Sequence, residues 1–482
     1  MTHSASAQRW TFFAVVSTGL LMIGLDNSIL YTALPALSAQ LHATPAQSLW
    51  IINAYPLVLS GLLLGTGTLG DKIGHRLMWL IGLGIFGVAS LAAAFAPGAW
   101  WLVAARGLLG FGAAVMMPAT LALIRLTFPN ERERNTAIGI WASVAVVGAA
   151  LGPLVGGALL EHFWWGSVFL INVPIVVVAL IATLALAPEN VPNPAKHWDI
   201  VSSIYALFAL SGLTMTIKGV ANPDRSAALV GGAVVVCLLA GWLFARRQRR
   251  LADPLLTFDI FRSRLFTGGV VAAAGAMFVL AGVELMTSQK LQLVSGFSPL
   301  HAGVVITAMA VAAIPASVVG GANLHRIGFL PLIGGGFLGA AAGTALLIVG
   351  DSADGLALEL AALVLLGFSA GSVMSVSSIA ILGAAPRHRS GMAAGVEEVS
   401  YEFGTLLTVA VTGSLLPLWF ERRFPQGMEA LYSGSPSPAA VTAYADAYHA
   451  VLLLLAAAAL AFAAATWWCF RDNPKSGELH AA

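Results

Sequence analysis

Five carboxylates, Asp26, Glu284, Glu397, Glu398 and Glu402, fall inside stretches that are otherwise apolar. A carboxylate at bilayer depth costs roughly 2.5–3.5 kcal/mol, so a chain that carries several has a use for them. An acid in that setting can take up a proton, bind a cation, or exchange one for the other. Glu398 and Glu402 are four residues apart and share one helix face, with Glu397 turned about 100° away and stacked under Tyr401. Two acids on one face in a low-dielectric cavity cannot comfortably both ionise, so at least one holds a proton until something positive displaces it. A lipophilic cation is such a displacer. Arg106 is the one cation well inside an apolar stretch, and Asp26 is the partner that would make its burial tolerable. Glu284, with Met286 and Gln289 nearby, would face the outer half of a central cavity, touching substrate or proton, or would pair with Lys290 at an outer gate. Tyr31, Tyr55, Trp141 and Tyr401 are the aromatics available to stack on a delocalised cation.

These residues must be positioned by membrane helices. The chain is 58% hydrophobic and 10% charged with a mean hydropathy of +0.86, far from soluble composition. About fourteen apolar runs are long enough to cross a bilayer, near 11–34, 48–69, 78–96, 100–124, 137–160, 165–187, 199–218, 227–245, 265–289, 300–322, 329–350, 354–383, 391–416 and 447–470. Lipid offers no partner to an open sheet edge, and the alternation of a barrel strand is nowhere seen, so the fold class is all-α. The first run contains Asp26 and lacks a small-residue cleavage site after it, which argues against a cleaved signal.

Lys72, Arg76, Arg132, Arg134, the run Arg246 to Arg250, Arg262, Arg264, Arg326, Arg387, Arg389, Arg471 and Lys475 all fall in even-numbered loops or the C-terminal tail. By the positive-inside rule those loops and both termini are cytoplasmic. The run Arg246 to Arg250 would pin its loop to the anionic inner leaflet, and nothing in the net charge of +2 points to nucleic acid. The loop Gly67-Thr68-Leu69-Gly70-Asp71-Lys72-Ile73-Gly74-His75-Arg76 has a degenerate copy in Gly321-Ala322-Asn323-Leu324-His325-Arg326-Ile327-Gly328. The copies lie eight spans apart where two six-helix halves would give six, so spans seven and eight are read as an insertion. The organisation expected is a cytoplasmic tail 1–10, an N-terminal bundle 11–187, two inserted helices with a basic loop over 188–263, a C-terminal bundle 264–470 and a tail 471–482. Asp71 at the cytoplasmic mouth would cap a helix N-terminus or pair with Arg76 or another cation when that side is shut.

The motifs carry a resemblance. Leu25 to Pro35 resembles the acidic first-helix motif of the major facilitator superfamily's fourteen-helix drug:proton antiporters. The loop holding Gly70, Asp71, Gly74 and Arg76 resembles the superfamily's signature loop, and Arg106 with Gly110 and Gly112 resembles its fourth-helix arginine motif. Gly139, Gly148, Gly152, Pro153 and Gly156 reproduce the glycine spacing of the antiporter motif. Physically, those glycines with Gly157 would let another helix approach, and Pro153 would free a carbonyl and bend the helix. The thirteenth-span sequence Gly395 to Gly404 is similar to the acidic motif of the quaternary ammonium exporters of the QacA and SmvA group. The resemblance implies the major facilitator fold, a proton-relay role for Arg106, and cation binding and protonation at Glu397, Glu398 and Glu402. Span six keeps the Asn172 and Pro174 of the family's pattern without its usual arginine. Span ten lacks the carboxylate that some relatives use for divalent cations, a task that would pass to Glu284 or the span-thirteen acids.

The reading is a monomeric, multi-pass antiporter of the bacterial cytoplasmic (inner) membrane, exchanging protons for lipophilic cations, without cofactor or metal. Cys237 and Cys469 form no spaced framework, the ten histidines have no metal-ligand spacing, and no nucleophile motif or phosphate loop argues for an enzyme. Rival readings are a proton-coupled transporter of an anionic metabolite, which would need more cations in the cavity, or of a lipid or cell-envelope precursor.

Overall fold

The computed structural model describes residues 2–43, 45–195, 198–221, 226–251, 254–353, 355–386, 389–425 and 437–471. The loop between the expected spans 391–416 and 447–470 therefore lies partly, at 426–436, and the C-terminal tail beyond Arg471 wholly, outside the described residues, as does Arg387. The first bundle comprises α1 (Thr2–Gln40), α2 (Pro45–Ile73), α3 (His75–Ala94), α4 (Ala99–Thr127), α5 (Glu131–His162) and the near-continuous pair α6 (Ser167–Leu170) and α7 (Asn172–Leu186). Next come α8 (Ile200–Ala221) and α9 (Ala227–Gln248). The second bundle is α10 (Arg264–Leu293), α11 (Pro299–Ile327), α12 (Phe329–Ser352), α13 (Leu356–Ala384), α14 (Ser390–Arg423) and α15 (Pro438–Phe470). With α6 and α7 as one rod, the described residues form fourteen helical rods, against about fourteen apolar runs expected. Twelve pass a test of length and apolarity for crossing a membrane among the described residues, and α2 makes a thirteenth if its two segments, bent by 55°, are one span. The remaining rod is α5.

The two bundles repeat one packing scheme. In the first, α1 packs on α5, α2 on α4, and α3 on α4; in the second, α10 packs on α14, α11 on α13, and α12 on α13. One apolar cluster, around Trp79, Phe86 and Phe169, belongs to the first bundle; the other, around Phe266, Phe337 and Tyr448, fills the second and also takes in Phe13, Leu121, Phe128 and Trp141 of the first. The sequence repeat has a backbone counterpart. Gly74 (φ 96°) and Gly328 (φ 91°) are each the single residue between two helices, both in the region that favours glycine. At Gly74 the carboxamide of Asn190 fills the space a Cβ would occupy, accepting from Leu77 N at 3.1 Å and donating to Ile73 O at 2.7 Å. Gly74→Ala is thus expected to destabilise by about 1–3 kcal/mol, read as a lower melting temperature in detergent, and Asn190→Ala should relieve only the steric part.

The bundles meet through α5 on α11 and α2 on α14, the same pairing seen from each half. Helix α8 lies against both α2 and α14, approaching α2 at Gly61 and Gly65, where a side chain would strike Leu207 and Ser203. By contrast α9 buries only Ala233, Ala240 and Gln248. At its last turn Arg247 clasps Asp199 with two bonds of 2.6 and 3.1 Å. Burial pushes the Asp199 carboxyl up, but the hydrogen bonds from Arg247 and Ser202, the Arg247 charge and the Val201 amide outweigh it, leaving it below its ordinary 3.8. A lowered folded value means the clasp contributes fully above 3.8 and is lost as pH falls through the folded value. Asp199→Asn should therefore lower the melting temperature at pH 7, and the gap from wild type should shrink in melts run below that point.

Candidate functional site

In the first bundle the site is built on α1, α4 and α7. Asp26 is fully buried and accepts from Arg106 Nη1 at 2.7 Å and from Asn172 Nδ2 at 2.8 Å. Arg106 also donates to Ile51 O at 3.3 Å, and its guanidinium lies 4.6 Å from the centre of the Tyr55 ring. Asn172 in turn reaches Ser90 Oγ at 3.3 Å. Two strong donors and an aromatic face thus hold the carboxylate in a site from which water is excluded, an arrangement in which a buried ion pair is tolerable and in which removing either partner is costly. Asn172 stood out in the sequence only as part of a motif; its place against Asp26 follows from packing of α7 on α1, which no local signal reports.

Gly148, Gly152 and Gly156 of α5 face α1, where a Cβ would meet Leu21, Ser28 and Ile29. The glycine face therefore embraces the stretch of α1 that bears Asp26. Gly139 is different: a Cβ there would strike Ser317 O of α11, in the other bundle. Gly157 has nothing within 4 Å, so it belongs to neither contact. The side chains of Tyr31 and Pro153 are outside the described set.

In the second bundle the three acids of α14 part company. Glu397 accepts from Ser378 of α13 and from Tyr401 OH at 2.9 Å, which binds it into the bundle. Glu398 is buried with Oε1 unpartnered, a state that calls for a functional reason. Glu402, one turn on, is half-buried. Tyr55 of the first bundle, under the Arg106 guanidinium, is acted on by the charges of Asp26, Arg106, Glu402 and Glu398. Glu284 is half-buried on α10. Gly282 packs on Thr408, which puts Glu284 about two turns, ~12 Å, farther along the helices than Glu402.

Three expected contacts are replaced by others. Lys290 does not reach Glu284; it bonds Asp351 at 2.7 Å and Glu359 at 2.8 Å, with His449 on the far oxygen of Asp351 at 2.6 Å, because the ends of α10, α12, α13 and α15 meet there. Arg76 does not pair with Asp71; it points the other way and donates to Leu184 O at 3.1 Å and Pro188 O at 3.3 Å, where the end of α7 leaves carbonyls free. Trp141 is enclosed between α5 and α4, donating to Thr120 Oγ1 at 2.9 Å, and is a core residue without a cavity face.

Asp71 itself crosses the interface. Its Oδ1 accepts from the Gly391 amide of α14 at 3.0 Å and from His75 Nε2 at 3.1 Å, so it caps the helix start as a carboxylate should. A Cβ at Gly67 would collide with Gly391 O, one at Gly391 with Gly67 O, and one at Gly70 with His75. Gly321 stands equally close to Asn135 O, and Arg125 donates to Ala385 O at 3.0 Å. These contacts all lie toward the end of the molecule that carries the basic loops, where they draw the bundles together.

Residues 16–292 match the Major Facilitator Superfamily. The chain belongs to that superfamily. It is 38% identical over 425 residues to the methyl viologen resistance protein SmvA of Salmonella typhimurium, covering 88% of this chain and 86% of the relative. It is 37% identical over 420 residues to the multidrug efflux pump LfrA of Mycolicibacterium smegmatis, covering 87% and 83%. The fold also matches the crystal structure of the human organic anion transporter MFSD10 with a TM-score of 0.63 at 16% identity, over 94% of this chain and 99% of that one. The chain is accordingly a multi-pass membrane protein of a transporter family, and its fold class is the one read from the sequence.

Proposed function

We propose that the protein is a proton-coupled antiporter that expels small lipophilic cations, including quaternary ammonium compounds, by alternating access, as a monomer in a bacterial cytoplasmic membrane with its basic end and both termini in the cytoplasm. The observation that carries this reading is the set of acids buried within membrane helices of both bundles, Glu398 with an unpartnered oxygen and Asp26 with Arg106 as its counter-charge. Such a site has negative charge in excess, which suits a cation and disfavours an anion. The names of the 38% and 37% identical relatives, a methyl viologen resistance protein and a multidrug efflux pump, support efflux as the direction.

In this reading the structure is closed on the cytoplasmic side. Protons from outside neutralise Asp26 and the α14 acids, the cation leaves, and the protonated carrier reopens inward. Glu402 and Glu284, both partly accessible, meet the substrate; Glu398 carries the proton that the substrate displaces. Exchange is enforced because proton and cation compete for the same charge, and a few kcal/mol of differential affinity suffices to move such a two-state carrier.

The test is a proteoliposome assay with an imposed pH gradient and ethidium inside. Wild type should extrude the dye only when the gradient is present. Glu398→Gln should lose gradient-driven extrusion by at least tenfold while still binding ethidium; extrusion unchanged in that variant, or unchanged without a gradient, would refute the coupling scheme.

A further inference from the structure

A cavity of about 420 Å³ lies on the face of α14 turned away from Glu398 and Glu402, walled by Leu210 of α8, Phe244 of α9, Phe261, Val270 of α10, and Val396 and Phe403 of α14. Its size falls in the range of ligand sites, about 300–1,000 Å³, and Ser400 is the only lining residue with a polar side chain. The wall residues Ala206 to Leu210, Val270 to Ala274 and Val396 to Phe403 begin six residues into α8, α10 and α14 respectively. At 1.5 Å per residue the cavity starts about 9 Å from the basic end of each helix, within one leaflet of a hydrocarbon core about 30 Å thick. At that end the wall is closed by polar ties: Gln248 accepts from Leu256 N at 3.2 Å, and Arg389 donates to Thr257 at 3.0 Å.

The charge around this end is one-sided. In sequence the flanking segments carry Arg246, Arg247, Arg249, Arg250, Arg262, Arg264 and Arg389 against Asp199, Asp253 and Asp259. Arg247 is committed to Asp199, and Arg246 and Arg264 lie over Trp242 and Trp468. Arg249 and Arg250 are exposed, and Arg262 meets Asp259 only at 3.5 Å in an open surface pair. An apolar chamber at leaflet depth beneath a cluster of arginines has the chemistry of one ligand, an amphiphile with a long hydrocarbon tail and a negative head.

We propose that this cavity, between the inserted helix pair and the second bundle, binds an acyl chain of an anionic phospholipid from the leaflet at the basic end, with the phosphate held by Arg249, Arg250 and Arg262. The cationic substrate is a poor alternative occupant, because the arginines would repel it and no acid lines the walls. The inserted pair then owes part of its attachment to a lipid, as α9 buries so little protein surface.

Native mass spectrometry of the full chain, released from vesicles holding equal phosphatidylglycerol and phosphatidylcholine, tests the assignment. Wild type should retain phosphatidylglycerol at least fivefold over phosphatidylcholine. The exposed double substitution Arg249→Ala with Arg250→Ala, which does not touch the core, should bring the ratio near one. Ala209→Phe, which fills the cavity, should lose the retained lipid altogether. Equal retention of both lipids by wild type, an unchanged ratio in the arginine variant, or displacement of the lipid by equimolar ethidium would overturn it. Lipid retention is read without transport, so its failure and a failure of proton-driven efflux are distinguishable.

Discussion

Asp26→Asn is expected to reduce gradient-driven ethidium efflux by two orders of magnitude and to destabilise the protein as well. The substitution keeps the shape of the side chain but leaves the Arg106 guanidinium, fully buried and 2.7 Å from the lost charge, without compensation. Breaking a buried pair from one side costs about 3–5 kcal/mol, enough to lower a melting temperature visibly. The stability loss and the transport loss can be separated. Asp26→Asn combined with Arg106→Gln removes both charges while hydrogen bonds to Ile51 O and Asn172 remain possible, so the melting temperature should recover most of the way. Efflux should not recover, because no group is left there to take up the proton. If the double variant transports as well as wild type, the pair is a structural element and the proton is carried elsewhere.

The second large effect is expected at Gly67. A leucine there would drive its Cβ into the Gly391 carbonyl and part α2 from α14. Overpacking of this kind costs about 1–3 kcal/mol, which shifts a two-state equilibrium by about 5–150-fold. The basic end should then stay open, with spin labels on the α2–α3 turn and at the start of α14 moving apart in pulsed resonance measurements. Turnover should fall by more than tenfold while dye binding from the basic side persists. Gly157→Leu, at a position with open space around it, serves as the control and should leave both readouts near wild type. Label distances and turnover unchanged by Gly67→Leu would mean that this seam does not move during the cycle.

How far these features could be read from the sequence depended on the range of the physics behind them. Helix positions were legible because lipid imposes a length and a polarity on every span, and the repeat was legible because Ile73-Gly74 and Ile327-Gly328 keep a turn that only glycine makes easily. The Asp26 and Arg106 contact could be anticipated by elimination, since a buried guanidinium must find an acid. Lys290 and Arg76 were harder: both have several partners within reach of a long side chain, and the choice was made by where α12, α13 and α7 end in space. Trp141 illustrates the same point, because period and composition cannot say which of two packed helices a ring will lean on. The division of labour among Glu397, Glu398 and Glu402 was half visible. Their angular spacing separated Glu397 from the other two, but the hydroxyl of Ser378 that engages it comes from another helix.

An apolar interior that reaches across both bundles toward the basic end, through Phe128 and Trp141, has a mechanical consequence. Tilting one half against the other parts that shared layer along with the carbonyl-to-glycine approaches and the carboxylate cap, so the reversible work of a turnover includes wetting apolar surface. Evolution can therefore retune the speed of the cycle by a methyl group in that layer, at a cost in core packing that falls on both halves.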